Sequence, residues 1–161
     1  MASSREIRTF YERWFPIIHS FSRLFLGSRP QGTVAAIEAF SEYMRTGLPY
    51  EVIQMPLVLW ECAVESALNR QFSSKPLART SLFDTDGSKF DKALMFLSPQ
   101  ERLVFLLHTV YGLTLDWIEL TTGWPGESVA ELCEASRAQM RRLLNWHSYP
   151  TRKADALMLV S

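Results

Sequence analysis

The stretch that decides the fold is LSPQERLVFLLHTVYGLTLDWIELTTGWPGESVAELCEASRAQMRRLL, residues 97–144. It opens with the pattern of a helix N-terminus, in which Ser98 and Glu101 cap each other and Pro99 takes the first helical position. The helix that begins there is expected to end at Gly112, because glycine commonly terminates helices in a left-handed conformation. The sequence therefore predicts a capped helix over the first third of this stretch.

Two further helices are predicted in the same stretch. Thr114 can cap a short helix over residues 115–122, and a tight Gly-Trp-Pro-Gly turn follows at 123–126. A long helix then opens within the next two residues and reaches about Asn145. Two helices joined by such a turn form a helix-turn-helix, an arrangement that often places its second helix in the major groove of DNA.

The charge of this region argues against DNA binding. Residues 103–136 hold most of the predicted helix-turn-helix but contain no lysine or arginine. They do contain five acids: Asp116, Glu119, Glu127, Glu131 and Glu134. Helices that enter the major groove need cations, because neutralising phosphates supplies most of the non-specific affinity for DNA. The helix pattern thus indicates a DNA-binding domain, while the charge pattern argues against DNA binding by the usual route.

The remainder of the chain is also predicted to be helical. Apolar residues recur at intervals of three and four over residues 5–26, 33–45 and 57–72, and no stretch shows the sustained alternation typical of a strand. Pro16 should kink or split the first of these helices. We therefore expect an all-α protein.

A break in the periodicity predicts the domain organisation. Residues 73–91, SSKPLARTSLFDTDGSKFD, are rich in Ser, Thr, Asp and Gly and lack a clear period, so they are the best candidate for a flexible linker. The predicted domains on either side are residues 1–72 and 92–146, followed by a tail at 147–161. The expected architecture is two small helical bundles joined by that linker.

The aromatic residues of the first helix allow two interpretations. Their helical spacing is the pattern of a core stripe. They cannot all face one way, however, so some of them are left for a partner helix. These residues are Phe10, Tyr11, Trp14, Phe15, Phe21 and Phe25.

The overall composition narrows the class of protein. The 161 residues include 17 basic and 17 acidic side chains, so the formal net charge is zero. Dedicated nucleic-acid binders usually show a basic excess or a basic face. The apolar fraction of 47% suits a globular core. We see no signal-peptide core and no apolar run long enough to span a membrane, so we expect a cytoplasmic protein.

Catalysis and metal binding are not expected. The three histidines are scattered, and no Gly-rich phosphate loop, nucleophile elbow or carboxylate pair in a plausible cleft is visible. Cys62 and Cys133 fall within helical apolar patterns and form no CxxC motif, so both are predicted to be small buried hydrophobes. We predict a protein that is not an enzyme and that has no cofactor, metal or small-molecule substrate.

Two stretches resemble one known family. Residues 10–27, FYERWFPIIHSFSRLFLG, resemble the first helix of region two in extracytoplasmic-function sigma factors of the sigma-70 family, and residues 97–144 resemble region four of the same proteins. The order of the two stretches, their spacing and the linker between them also fit. The resemblance implies an all-α factor that binds RNA polymerase and recognises two promoter elements.

The last helix departs from the family at the positions that touch DNA. The family usually has Lys, Ser, Arg, His and Arg there. The matching residues in this chain are Ala130, Glu131, Leu132, Glu134 and Ala135. Arg137 keeps its charge, and Arg141 and Arg142 follow a turn later, so these three remain as candidate DNA contacts. The last two could hold the DNA backbone or could simply balance the helix C-terminus.

The stretch that resembles region two also lacks most of the family's residues that contact the polymerase or DNA. Of the residues that meet the polymerase in the family, only Glu38 and Phe40 remain within TVAAIEAF at 33–40. The strand-melting helix of the family carries Arg and Asn after an Ile-Ala pair, where this chain has Cys-Ala-Val-Glu at 62–65. Trp60 remains available to stack on an unpaired base. A similar scaffold with an acidic recognition helix occurs in the sigma-like domains of general-stress response regulators, which capture an anti-sigma protein.

We therefore expect a divergent sigma-like regulator that works mainly through core RNA polymerase or an anti-sigma factor and binds DNA weakly. Glu127, Glu131 and Glu134 recur at four and three, so they share a helix face that is either a solubilising surface or a docking face for a basic partner. Glu38 and Phe40 are the other predicted protein contacts. The alternatives are a promoter-specific sigma factor with displaced basic contacts and, least expected, a purely structural helical module.

Overall fold

A computed structural model describes residues 3–46, 56–73 and 88–144 of the chain. Within those residues every regular element is a helix, so the prediction of an all-α protein is confirmed. The chain divides into two compact units, Met1–Asp84 and Thr85–Ser161. Each unit is described by itself below.

The first unit contains three long helices, each of which packs on the other two. They are α1 (Ser4–Leu26), α2 (Arg29–Arg45) and α3 (Pro56–Ser73). Phe10 of α1 stacks on Tyr43 near the end of α2, with ring centroids 5.4 Å apart, so the first two helices run antiparallel. The core residues they share with α3 are Ile18, Phe21, Phe25, Ala35, Ala36, Ala39, Leu59, Ala63 and Ala67.

Local signals set the ends of α1 and α2. Ser3 and Glu6 form a capping box at the start of α1, and Gly27 ends that helix in the left-handed region at φ 69°. Pro16 lies inside α1 and does not split it. Of the two predicted effects, the split does not occur, since apolar residues on both sides of the proline are buried in the same core, and the kink stays a prediction. Helix α2 begins at Arg29, four residues earlier than predicted, since Ser28 caps it.

The two antiparallel helices approach closely where α1 ends and α2 begins. A Cβ atom on Gly32 would lie 2.5 Å from the Cα of Arg23 and 2.6 Å from its backbone nitrogen. Nearby, the His19 Nε2 and Thr33 Oγ1 atoms are 2.9 Å apart and share a hydrogen bond between the helices. Glycine at position 32 therefore lets the backbones come into contact.

The second unit contains four helices in the described residues. They are α4 (Lys89–Leu94), α5 (Pro99–Phe105), α6 (Leu115–Thr122) and α7 (Gly126–Leu144). Helix α5 continues into a π-helical turn at Leu106–Val110. Helix α7 packs on α4, α5 and α6. The core residues are Leu94, Leu97, Leu103, Val104, Phe105, Leu106, Leu107, Ile118, Val129 and Met140.

Most of the predicted helix caps and helix ends of this unit are confirmed. Ser98 and Glu101 form the expected capping box, and Thr114 caps α6. Gly112 has a positive φ of 73° at the expected helix end. The π-helical turn at Leu106–Val110 was not predicted, and it widens the last turn before that glycine.

The two ends of the predicted linker are helical. Ser73 is the last residue of α3, and α4 begins at Lys89, inside the range assigned to the linker. Ser88 caps α4 by accepting a hydrogen bond from the backbone N–H of Asp91. Residues 74–87 of the linker lie outside the described residues, as does the predicted tail at 147–161. The predicted linker and domain boundaries therefore stay predictions.

Candidate functional site

Helices α6 and α7 are the two helices of the predicted helix-turn-helix, and the turn lies between them at residues 123–125. Gly123 ends α6 at φ 74°, and its N–H donates to the Glu119 carbonyl at 2.8 Å. The next residue, Trp124, donates its backbone N–H to the Thr122 hydroxyl at 3.1 Å. Ile118 from α6 and Val129 from α7 are fully buried. A glycine in the left-handed region and one buried residue from each helix therefore set the angle between the two helices.

Arg102 of α5 links that helix to the end of α4 and to the turn that follows α4. Its guanidinium is buried and donates from Nε to the Leu94 carbonyl at 3.0 Å and from a terminal nitrogen to the Leu97 carbonyl at 3.2 Å. These carbonyls belong to the end of α4 and the turn that follows, where helices leave backbone acceptors unsatisfied. Burial lowers the pKa of Arg102 to about 10. The arginine of the Leu-Ser-Pro-x-x-Arg pattern is therefore a structural cation that is withdrawn from solvent.

The exposed face of α7 carries the acidic residues. Glu127, Glu131 and Glu134 are all exposed, and none of them forms a salt bridge with a residue that the structure describes. We call these three residues the acidic face. Because they lie on successive turns of one helix, their charges add in a single direction. The positions that the sequence assigned to a docking or solubilising surface are thus exposed together.

Glu119 adds a fourth carboxylate at the start of α7. Its Oε2 atom lies 3.0 Å from the place where a Cβ on Gly126 would be, and its residue is exposed. Glu119 therefore does not lie in the core; the buried residues of α6 are Ile118 and Thr121. A carboxylate next to a helix N-terminus is stabilised by the helix dipole. The N-terminal end of α7, which would reach the bases in a DNA-bound helix-turn-helix, is therefore acidic.

The remaining cations of α7 lie at its other end. Arg137 is half-buried, while Arg141 and Arg142 are exposed. The Arg142 Nε atom donates to the Gln139 Oε1 at 3.1 Å, a contact within the helix. Arg141 lies fourteen residues beyond Glu127, which is about 21 Å along a helix. Of the predicted DNA contacts on α7, two are thus accessible, but they lie far from the N-terminal end of that helix.

Glu38 is tied to α3. Its Oε1 accepts a hydrogen bond from Arg70 at 2.7 Å, and the two form a salt bridge. The Ser66 hydroxyl lies 3.4 Å from the other carboxylate oxygen and donates a 2.8 Å hydrogen bond to the Ala35 carbonyl. A partner that used Glu38 would compete with Arg70 for the same carboxylate. The salt bridge with Arg70 does not test the prediction that Glu38 contacts a partner protein, which stays a prediction.

Phe40 lies under the surface between α1 and α2. It is 5% exposed, and its ring meets those of Phe10, Tyr11 and Phe15 at centroid distances of 6.5, 5.1 and 5.7 Å. It forms part of the floor of a groove rather than a projecting contact. A partner would reach Phe40 only by entering that groove.

Trp60 does not present a free ring. It is 4% exposed and meets the Phe21 ring edge-on, with centroids 5.5 Å apart. Stacking on an unpaired base requires an exposed aromatic face. The suggestion that Trp60 contacts DNA is therefore corrected, because helical packing in the first unit uses this ring as core.

The groove above Phe40 was only partly anticipated. Tyr11 is 43% exposed, which fits the expectation that some aromatic residues of α1 are left for a partner helix. Ile37 and Met44 of α2 are 50% and 45% exposed and line the same groove, which encloses about 530 Å³. Their spacing of seven residues, off the buried stripe of α2, was the signal that could have located the groove.

The two cysteines are buried and unpaired, as the sequence predicted. Burial, followed by the nearby carboxylates of Glu42, Glu65 and Glu61, raises the pKa of the Cys62 thiol to about 11. Burial also raises the pKa of Cys133. A raised pKa keeps a thiol protonated and poorly nucleophilic.

The chain matches no protein-family profile and no curated protein. None of the helices within residues 3–46, 56–73 and 88–144 is long and apolar enough to cross a membrane. Among the same residues, no three His, Cys, Asp or Glu side chains come together in a way that could hold a metal ion.

Proposed function

We propose that this chain is a divergent sigma-70-like regulator of transcription that acts mainly through protein contacts. The proposed partners are core RNA polymerase and an anti-sigma factor. The observation that carries the proposal is the acidic face, which occupies the side of α7 that would meet DNA in an ordinary member of that family. The helix order and the turn chemistry of the second unit support the sigma-like part of the proposal.

Electrostatics disfavours the use of this face on DNA. Each base pair presents two negative charges along the duplex axis, and binding gains free energy when cations on the protein release condensed counterions. The acidic face offers no cation, and carboxylates held near phosphates repel them. The same charges attract a basic protein surface and speed its encounter with the chain. A basic helix or loop of a protein partner is therefore the better match.

The proposal is tested by reversing the acidic face. The variant combines Glu127→Lys, Glu131→Lys and Glu134→Lys, and its binding to purified core RNA polymerase and to a promoter-length DNA duplex is measured by fluorescence anisotropy. We expect weaker binding to the polymerase, by about tenfold or more, and tighter, more salt-sensitive binding to DNA.

A matched control has the same change in net charge elsewhere. Glu12, Glu42 and Asp116 lie off the acidic face and are not among the predicted DNA or polymerase contacts, so their replacement by lysine leaves those surfaces intact. The control should bind the polymerase as the parent does. If the acidic-face variant folds normally and binds the polymerase as tightly as the control, and the parent captures no purified anti-sigma factor, the proposed function fails.

The alternative is a promoter-specific sigma factor with displaced cations. Its support is the exposure of Arg141 and Arg142 at the end of α7. Three arginines on that helix would give a slope of log affinity against log salt no steeper than about −3. A slope close to that limit, together with sub-micromolar affinity for one promoter sequence, would favour the alternative over the proposal.

A further inference from the structure

The groove between α1 and α2 has the size and lining of a small-molecule site. It encloses about 530 Å³, and pockets that hold small molecules commonly have about 300–1,000 Å³. The apolar residues that line it are Ile7, Phe10, Tyr11, Ile37, Phe40 and Met44. The two phenylalanine rings are buried at its floor, and the walls reach the surface. The groove can therefore bury an apolar ligand of limited size.

The groove is open because α3 packs elsewhere on α2. Glu38 of α2 bonds to Arg70 of α3, whereas Ile37, Ser41 and Met44 lie on another side of α2, at intervals of four and three. None of the residues that line the groove belongs to α3. A ligand can thus enter from solvent along the whole length of the two helices.

The length of the groove limits the ligand. Ser4 and Tyr11 on α1, like Ile37 and Met44 on α2, are seven residues apart, which is about 10 Å along a helix. An extended chain of single bonds advances about 3.5 Å for every three bonds, so about nine bonds, or about ten carbon atoms, span the groove. A linear chain of medium length therefore matches the apolar walls.

The polar residues of the groove select the charge of the ligand. Arg8 is the one charged residue among the described residues that line it. Its side chain is exposed and forms no salt bridge with a residue that the structure describes. Ser4, one turn earlier on α1, and Ser41 on α2 add hydroxyl groups that can donate hydrogen bonds. A carboxylate would gain a charged partner here, whereas an ammonium group would face a like charge.

We propose that this groove binds a free medium-chain carboxylate, with its apolar chain between α1 and α2 and its carboxylate at Arg8. The groove is as long as one such chain, whereas a membrane lipid carries two. The groove lies in the first unit and the acidic face in the second, so the inference does not rest on the proposed function. A chain whose acidic face is reversed should bind the carboxylate as the parent does.

The experiment titrates the full chain with decanoate at neutral pH and low ionic strength. Decylammonium keeps the chain length and reverses the charge, and hexanoate keeps the charge and shortens the chain. We expect saturable binding of decanoate with a Kd of about 0.1–1 mM. Decylammonium should bind about fivefold more weakly because Arg8 repels it, and hexanoate about tenfold or more weakly because it buries fewer methylene groups.

The measurement is nuclear magnetic resonance of chains labelled at the methionine methyl groups. Met44 is 45% exposed and lines the groove, so its methyl signal should shift with decanoate and saturate. Met95 is half-buried in the second unit, and its signal should not move. The two signals thus distinguish binding in the groove from adsorption of an apolar chain over the whole surface.

Four variants test the assignment of the residues. Arg8→Gln should weaken decanoate by about threefold to fivefold and remove the preference over decylammonium. Ile37→Asp should weaken decanoate by about tenfold or more, since it places a like charge in the apolar wall. The matched controls are Arg13→Gln, an exposed cation of α1 outside the groove, and Leu120→Asp, an exposed apolar residue of the second unit. Both controls should bind as the parent does.

Four results would overturn the proposal. The first is a Met44 signal that does not saturate with decanoate. The second is equal binding of decanoate and decylammonium with no effect of Arg8→Gln, and the third is an equal loss in the controls. The fourth is binding of phosphatidylglycerol vesicles, or of a leucine-rich helical peptide, that depends on Arg8 and Ile37 while decanoate does not bind. That result would assign the groove to a membrane surface or to a protein segment.

Discussion

Replacing the buried Arg102 with methionine should destabilise the second unit strongly. Methionine replaces the aliphatic part of the arginine side chain and fits an apolar site, but it is shorter and cannot donate a hydrogen bond. The change would leave the carbonyls of Leu94 and Leu97 without the guanidinium donors that lie 3.0 and 3.2 Å from them. These carbonyls belong to the end of α4 and the turn that follows, so the change would weaken the attachment of α4 to α5.

The size of the effect follows from two opposing terms. A buried carbonyl that loses its partner costs about 1–3 kcal/mol. The Leu97 carbonyl loses its guanidinium donor, whereas the Leu94 carbonyl keeps the Leu97 N–H at 3.1 Å, so the two together cost about 2–4 kcal/mol. The variant also removes a buried charge, whose desolvation is what lowers the pKa of Arg102 to about 10. Allowing for that gain, we expect a net loss of about 2 kcal/mol, which corresponds to about 8 °C or more in the Tm of so small a unit.

The effect should not depend on pH between 6 and 9. In the unfolded chain Arg102 has the ordinary, higher pKa of arginine, and in the folded chain that pKa is lowered to about 10, so the side chain is protonated in both states throughout that range. Neither state takes up or releases a proton there. Only above pH 10 would the folded protein lose the proton first, and its stability would then rise relative to the unfolded chain.

The measurement is hydrogen exchange by mass spectrometry across residues 99–110, supported by urea unfolding. Arg102→Lys should recover less than half of the loss, because an ammonium cannot reproduce the fork of a guanidinium. Arg141→Met, at an exposed arginine of the same unit, should change stability by less than about 0.5 kcal/mol. A loss below 1 kcal/mol for Arg102→Met, or a loss that changes between pH 6 and 9, would refute the reasoning.

Three other changes have definite outcomes. Gly32→Ala should lower the stability of the first unit by about 1–3 kcal/mol in thermal unfolding, because its Cβ would meet the backbone of Arg23 at 2.5 Å; an unchanged Tm would mean that α1 and α2 can separate without cost. Ser66→Ala should cost about 1 kcal/mol in urea unfolding, since the Ala35 carbonyl loses a buried donor at 2.8 Å, whereas Ser73→Ala at an exposed position should not. Cys62, with its pKa raised to about 11, should react with iodoacetamide at pH 8 about a hundredfold more slowly than a free thiol and should gain about tenfold in rate per pH unit above that; fast alkylation at pH 8 would contradict the burial of this thiol.

Helix ends and buried stripes could be predicted from the sequence because they depend on local chemistry. Ser98 with Glu101, Thr114 and Gly123 each act on residues within four positions of themselves, so their roles can be assigned without the fold. The capping box of α1 at Ser3 has the same Ser-x-x-Glu signature and could have been found in the same way.

Long-range contacts could not be predicted in this way. The salt bridge of Glu38 with Arg70 joins residues 32 positions apart, and its existence depends on the packing of α2 against α3. Trp60 looked available for stacking, since its position on α3 gives no indication of the Phe21 ring that lies against it. The α2 wall of the groove was missed for a similar reason: Ile37 is an ordinary apolar helix residue until the neighbouring helix leaves it uncovered.

Arg102 separates the residues that build the helical scaffold of the second unit from the residues on its surface. The residues that build the helix-turn-helix, such as Gly123 and Ile118, are buried or conformational, and they differ from the residues that would touch DNA. Arg102 belongs to the first group, because both of its described hydrogen bonds run to carbonyls of its own unit. Its charge counts in the sequence total, yet little of it reaches the surface. The surface around α6 and α7 is thus more acidic than the neutral composition suggests, and the exposed charges favour the proposed protein partner over DNA.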